Sequence, residues 1–312
     1  MTIFASGTQM RPSAQPVVLN SISGRKAEGS DFNLRQTLPC RDRRMIGAWC
    51  FLEHTGPNDV QAGSRMRISP HPHAGVQAFT WMVEGELLHR DSLGNKQVIR
   101  SGEVNLLTAG RGVSHCEESL ADASPRVHAV QLWIALPEAM RACEPSFVHY
   151  ATLPALALAG FSLTLLVGRL FGEESPVPVN SPLIGFELVT NGAADTIIPL
   201  RGDFEYGVMV LVGEAVVAGK RLFPGELLYV GEHHTRLKVH CDGAASLLLV
   251  GGKPLTERPL LWWNFVGRNR EELTEYARLW NVSAHFGVVP DCDGMRVLAP
   301  VVPTGIARGV QQ

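Results

Sequence analysis

RISPHPHAGVQAFTWMVEGELLHRDSLGN, residues 67–95, decides how this chain is read. His71 and His73 stand two apart, and in an extended backbone such residues point to one face. Pro72 between them fixes its own backbone angle and cannot donate to a sheet ladder, so it suits the start of a strand. The pattern predicts two imidazoles held rigidly side by side, ahead of the strand VQAFTWMVEG.

A second pair follows in TAGRGVSHCEES, residues 108–119, where His115 and Glu117 are again two apart. Turn residues lie between the pairs, so two strands can carry them close together. Three imidazoles and one carboxylate suit a divalent transition metal. Imidazole favours iron, nickel, copper, zinc or cobalt, and the carboxylate fits iron or manganese. Such a set on an octahedral metal leaves positions open for substrate or dioxygen. The other histidines lack this pairing. His233 and His234 are adjacent and read as surface, His89 beside RDSLGN reads as a brace for a hairpin, and His54 reads as structural.

Outward from this stretch the chain reads as all-β. Its 31 glycines and 20 prolines punctuate short apolar runs at roughly ten-residue spacing, the mark of a sandwich or barrel. Candidate strands are residues 76–85, 97–107, 127–136, 204–217, 225–231 and 245–252, and RDSLGNKQVI (90–99) reads as a hairpin. VEGELLH ahead of RSGEVNLL resembles LVGEAVV ahead of FPGELLYV. Units about 125 residues apart imply duplicated β-domains, a first over 1–150 and a second over 151–312, connected through ATLPALALAG (151–160). One helix stands out in NREELTEYARLW (269–280), with Leu273, Tyr276, Ala277 and Trp280 on one face and Asn269 with Glu272 as its N-terminal cap. The last twenty residues lack periodicity and form a tail, ordered or frayed.

Composition sets the outer bounds. The chain has 312 residues, 45% hydrophobic and 19% charged, with a net charge of −2. Nothing in that balance calls for bulk electrostatic binding of nucleic acid or an acidic membrane. The first twenty residues do not read as a signal peptide, and the longest apolar runs are too short to span a bilayer. Cys40, Cys50, Cys116, Cys143, Cys241 and Cys292 are scattered without a CxxC pair. Neither a disulfide framework nor a zinc ribbon is signalled, and a reduced cytoplasmic protein is the simplest expectation.

The segment HPHAGVQAFTWMVEGELLHRDSLGNKQVIRSGEVNLLTAGRGVSHCEES (71–119) resembles the signature of the pirin family, within the cupin superfamily. FLEHTGP (51–57) and VHAVQLWIALPE (127–138) match the same pattern. The likeness is strong over about residues 45–137 and looser in LLLVGGKPLTERPLLWWNFVGRNREEL (247–273). The resemblance implies a bicupin: two β-barrels stacked face to face, with one metal, usually iron, in the N-terminal barrel. Carried over residue by residue, its ligands are His71, His73, His115 and Glu117, the set reached from spacing. The family's second barrel typically lacks a metal, and here Pro199 and Arg201 stand where the first repeat has His71 and His73.

The chain departs from the family at Gln77, where glutamate is usual, and in VNLL (104–107), which places Asn105 and Leu106 where the family has glutamine and tryptophan. By strand parity Gln77, Phe79 and Trp81 share the histidine face, with Phe79 and Trp81 either lining a pocket or filling the core. The resemblance implies one of two functions. One is a quercetin 2,3-dioxygenase type of enzyme, with Fe(II) ahead of Zn, Mn, Ni, Co or Cu, which opens a flavonol ring with O2 and releases carbon monoxide. Glu117 is then the candidate catalytic base. The other is metal-dependent binding of a transcription factor or metabolic enzyme, with Trp262 and Trp263 as candidate anchors unless the helix covers them. Direct nucleic-acid binding is not expected.

Overall fold

The computed structural model describes residues 19–26, 33–59, 66–120, 126–292 and 294–305. Most of the N-terminal stretch and residues 306–312 of the tail lie outside it. Short strands separated by glycine turns build two barrels of the same plan, as expected of a bicupin. In the first, a seven-stranded antiparallel sheet runs in the order Ser146–Tyr150, Val104–Thr108, Val76–Glu84, Arg126–Ala135, Trp49–Asp59, Leu34–Leu38, Arg25–Lys26. A four-stranded sheet of Arg67–His73, Val113–Glu118, Glu86–Asp91 and Lys96–Arg100 closes over it.

The second barrel repeats the order. Its large sheet is Leu19–Ser23, Glu226–Val230, Glu205–Val212, Ala245–Gly252, Leu183–Thr190, Phe161–Val167, Ala155–Leu158. Its small sheet is Ala194–Pro199, Arg236–Cys241, Ala215–Val217, Lys220–Leu222. The repeated glycines occupy equivalent turns. Gly85 (φ 89°) and Gly213 (φ 75°) are left-handed. A Cβ would stand 2.0 Å from the Arg126 carbonyl oxygen at the first and 2.2 Å from that of Ala244 at the second, which only glycine avoids.

The two large sheets pack face to face. Trp49, Leu52, Phe79, Trp81, Leu106 and Val130 of the first share one apolar cluster with Leu166, Met209, Leu211, Leu227, Leu248 and Val250 of the second. Polar groups stitch the same seam. Trp49 Nε1 donates to the Gly251 carbonyl at 3.0 Å, the Gly47 amide to Glu205 Oε1 at 2.6 Å, and Trp81 Nε1 to Glu187 Oε2 at 3.2 Å. Burial pushes the Glu187 carboxyl up, against the pull of its bonds to Ser246 and Trp81.

Several expectations are corrected here. Of the two places open to Phe79 and Trp81 the core is the one they take, between the barrels, but the shared face with the histidines does not hold: Gln77 donates to Thr108 Oγ1 (3.1 Å) and the Pro178 carbonyl (3.4 Å), away from them. Parity fails because the chain changes sheets at Ala74–Gly75, leaving the small sheet after His73 and entering the large one at Val76. Pro72 lies near the end of its strand, not its start; that strand is a sheet edge, where a missing N–H costs no ladder bond. The connection between barrels is shorter than ATLPALALAG, because Ala155–Leu158 is an edge strand of the second.

Residue 150 does not separate the barrels cleanly. Leu19–Ser23 pairs with Glu226–Val230 in the second barrel, while Ala74 lies in register with Phe265 from the far end of the chain and its carbonyl accepts from the Val266 amide at 3.0 Å. The six cysteines are not all free: Cys116 and Cys292 form a disulfide across 176 positions of sequence. Among the described residues no helix is long and apolar enough to cross a membrane.

The helix is Arg270–Val282. The Asn269 side chain accepts from the Glu272 amide at 2.8 Å, and Leu273, Ala277 and Trp280 are buried, as the sequence predicts. It packs on Ala74, Phe265 and Phe286 beside the first barrel, and Trp262 and Trp263 pack partly buried against the same cluster. The described part of the tail, residues 294–305, returns over this helix. Trp280 Nε1 donates to the Val297 carbonyl (2.7 Å), Asn281 exchanges bonds with Ala299, and Ala299 and Val302 are buried.

Candidate metal centre

Strand register assembles the site. On Val113–Glu118 and its edge neighbour Arg67–His73, His115 lies directly across from His71. A bulge between His115 and Glu117 then shifts the pairing, so that Glu117 opposes Ile68. On the other flank His115 opposes Asp91, and Glu117 opposes His89.

The imidazoles of His71, His73 and His115 offer nitrogens within 4.8 Å of one another. Glu117 joins through His115, in a second group of the same closeness with His89. The structure thus brings all four sequence-predicted residues to one pocket and adds His89 behind them.

The hydrogen bonds fix which nitrogen each ring presents. His71 Nδ1 donates to the Ser69 carbonyl at 2.9 Å, and His73 Nδ1 to the Asn264 carbonyl at 3.3 Å. Each Nε2 is therefore left as a bare lone pair. His115 Nδ1 lies 3.4 Å from His89 Nδ1, and His89 Nε2 lies 3.3 Å from Asp91 Oδ2. A carboxylate only accepts, so His89 carries its proton on Nε2 and takes that of His115 on Nδ1. His115 Nε2 is left bare as well.

Here the donor set can be tested against a cation. His73 Nε2 and His115 Nε2 are 3.0 Å apart, and two lone pairs at that separation repel unless something positive lies between them. Burial drives the same way. It pushes His71 down to about 4 and His73 and His115 well below the ordinary imidazole range. Neutral imidazoles with outer hydrogen bonds to carbonyl or carboxylate are what a metal requires. The residues fit the group.

Glu117 is buried, and burial pushes its carboxyl up against the pull of nearby His89 and of its hydrogen bond from Gln131. Gln131 Nε2 donates to Glu117 Oε2 at 2.8 Å. The Thr80 hydroxyl lies 2.9 Å from Gln131 Oε1 and 3.4 Å from Glu117 Oε1. Its single proton serves the nearer acceptor, which leaves Glu117 Oε1 for a metal.

Above these groups is a cavity of about 320 Å³. Phe51, Trp133 and Trp263 supply its aromatic walls, with Glu53 and Gln131 as polar neighbours. Phe51 and Trp133 stack at 4.1 Å, and Trp133 meets His73 edge-on at 4.9 Å. Val297 of the tail completes the rim, its amide reaching the Pro70 carbonyl at 3.4 Å.

Sequence reasoning missed three kinds of residue here. His89 was assigned to the hairpin, yet Asp91 is the brace, accepting from the amides of Leu93 and Asn95. The His-x-Asp spacing was the available signal, since it is again two apart on a strand. Glu53, in FLEHTGP, sits beside His54, and no local pattern marks it. Trp133 and Trp263 had no local signal, because strand crossing and the return of the chain place them.

A family description named Pirin matches residues 31–134, and one named Pirin C-terminal cupin domain matches residues 186–287. A Pseudomonas aeruginosa protein named "Putative quercetin 2,3-dioxygenase" is 43% identical over 94% of this chain and 93% of its own. The chain belongs to the pirin family. A crystal structure titled quercetin 2,3-dioxygenase from Acinetobacter baumannii superimposes with a TM-score of 0.89 at 42% identity, covering 93% of this chain and 97% of that one. A bacterial pirin from Escherichia coli, solved in complex with nickel(II), shares the fold at 18% identity and a TM-score of 0.61, over 76% of this chain and 100% of its own. In this chain the histidine–glutamate cluster offers ligand atoms close enough together to hold a metal ion.

Proposed function

We propose that the protein is a metal-dependent dioxygenase of the quercetin 2,3-dioxygenase type, acting on flavonol-like phenolics. Iron is the metal we assign, held by His71, His73, His115 and Glu117. Similarity to proteins of that name supports the reading. The observation that carries it is three imidazole nitrogens converging at the floor of a cavity of about 320 Å³ with aromatic walls. That size is at the lower end of cavities that take flat, drug-sized ligands.

The metal, when bound, supplies Lewis acidity toward a phenolic oxygen and a centre for dioxygen. The chain's own residues do the rest. Phe51, Trp133 and Trp263 bind a flat ring and exclude water around it. The carbonyls of Ser69 and Asn264 hold two imidazoles in the ligating tautomer, and His89 with Asp91 holds the third. Gln131 orients Glu117.

The test is aerobic quercetin consumption by iron-loaded protein, with carbon monoxide detected and His71→Ala as control. Turnover with carbon monoxide, lost in the variant, is expected. No turnover by protein holding one iron per chain would sink the enzyme reading.

A second reading, metal-dependent binding of a transcription factor or metabolic enzyme, is favoured by one observation. Met295, Leu298 and Val301 of the tail are 91%, 64% and 89% exposed, beside the rim formed by Val297. Apolar side chains exposed together mark contact surfaces. An iron-loaded protein without turnover would move the assignment there.

A further inference from the structure

Two carboxylates share the cavity, and their surroundings differ. Glu117 is 4% exposed and tied by Gln131 at one oxygen, with the other left for the metal. A carboxylate used in that way has both oxygens engaged before a substrate arrives. Glu53 stands on Trp49–Asp59, directly across from Gln131 on Arg126–Ala135. It lines the same cavity as the three histidines. It is half-buried, its oxygens are not sealed from the cavity, and among the described residues it has no hydrogen-bond donor and no Lys or Arg partner. An unpaired carboxylate facing a cavity is stabilised by a ligand that brings a donor.

We propose that Glu53, not Glu117, accepts the hydroxyl proton of the substrate. The inference rests on the flavonol reading above and names the group that its chemistry requires. In the step, the substrate O–H bond breaks and its electron pair stays on the substrate oxygen. The proton bonds to a Glu53 carboxylate oxygen and stays there while the anion is bound. No oxidant or reductant takes part. Glu53 reaches the cavity from the large sheet and the histidines from the small one. A flat ligand lying between them therefore meets metal on one side and proton acceptor on the other.

The test uses metal-loaded full-length protein and 3-hydroxyflavone in the absence of oxygen. The bound flavonol is read by its absorption, which moves to longer wavelength in the anion. Wild type is expected to bind it as the anion at neutral pH. E53Q, close in shape, should keep one metal per chain and bind the flavonol in the neutral form, with E53D restoring part of the anion band. With oxygen admitted, kcat of E53Q should fall about 10²–10⁴-fold, while KM changes far less.

An anion band of wild-type size in E53Q overturns the assignment and leaves the flavonol reading intact. Loss of metal from E53Q also overturns it, by making Glu53 a ligand. Wild-type protein that holds metal yet binds no flavonol overturns the flavonol reading itself, and this inference with it.

Discussion

The two barrels have the same strand order, yet one is hollow where the other is full. In the second, Phe186, Ile198, Tyr206, Val208, Leu237, Val239, Leu247 and Leu249 fill the interior as one apolar cluster. In the first, the corresponding space holds imidazoles, carboxylates and a cavity of about 320 Å³. Where the first repeat has His71 and His73 in sequence, the second has Pro199, which ends its strand, and Arg201 just beyond it, turned outward to pair with Asp203 and cover Phe204 at 4.2 Å. A cupin barrel thus needs no site to fold. The site replaces packing in one copy, while the other copy and the shared seam supply apolar burial.

Three measurements tell the barrels apart. The largest effect is expected from opposite single changes. Leu247→Ala in the filled barrel should cost about 2–5 kcal/mol in a denaturant titration and leave metal content unchanged. His115→Ala in the hollow barrel should remove nearly all the metal, read by elemental analysis, with little loss of metal-free stability. If Leu247→Ala released metal, the barrels would not be separable in function.

A smaller effect is expected one shell out. His89→Phe keeps a ring against Phe147, which now stacks on His89 at 4.4 Å, and removes the acceptor for His115. Metal affinity measured by chelator competition should fall about 10–100-fold. An unchanged affinity would show that the Asp91–His89 pair does not hold the His115 tautomer.

The smallest effect concerns the seam. Because burial holds the Glu187 carboxyl above its ordinary range, its contribution is fully present below its unfolded pKa and is lost as pH rises through its folded pKa. Unfolding stability should carry that downward slope toward higher pH, and Glu187→Gln should flatten it. A slope unchanged in the variant would assign it to another group.

The two histidine-bearing pairs were legible because residues two apart on one strand share a face, and that rule is local. It failed three residues later. Phe79 and Trp81 keep their alternation but belong to the other sheet, and nothing in HPHAGVQ states that Ala74–Gly75 is where the chain crosses. Gly75 carries φ 73°, with the Val266 carbonyl oxygen 2.2 Å from where a Cβ would stand, so the crossing is enforced by residues almost two hundred positions away. His89 carries a partial local signal in its spacing from Asp91, and its place behind the site follows from the register that sets it opposite Glu117. The helix was read correctly since its cap and its buried face are both local patterns.

By itself the sequence determined the all-β duplicated plan, the glycine turns that repeat it, the two histidine-bearing pairs and the capped helix. Each is a matter of periodicity or backbone freedom within a few residues. Tertiary structure alone decided which carboxylate is tied and which is free, which aromatics form walls and which form the seam, and that Cys292 reaches Cys116 beside the ligands. Those outcomes depend on strand register, sheet crossing and the return of distant chain. They are set by the packing of whole sheets, and no short stretch records them.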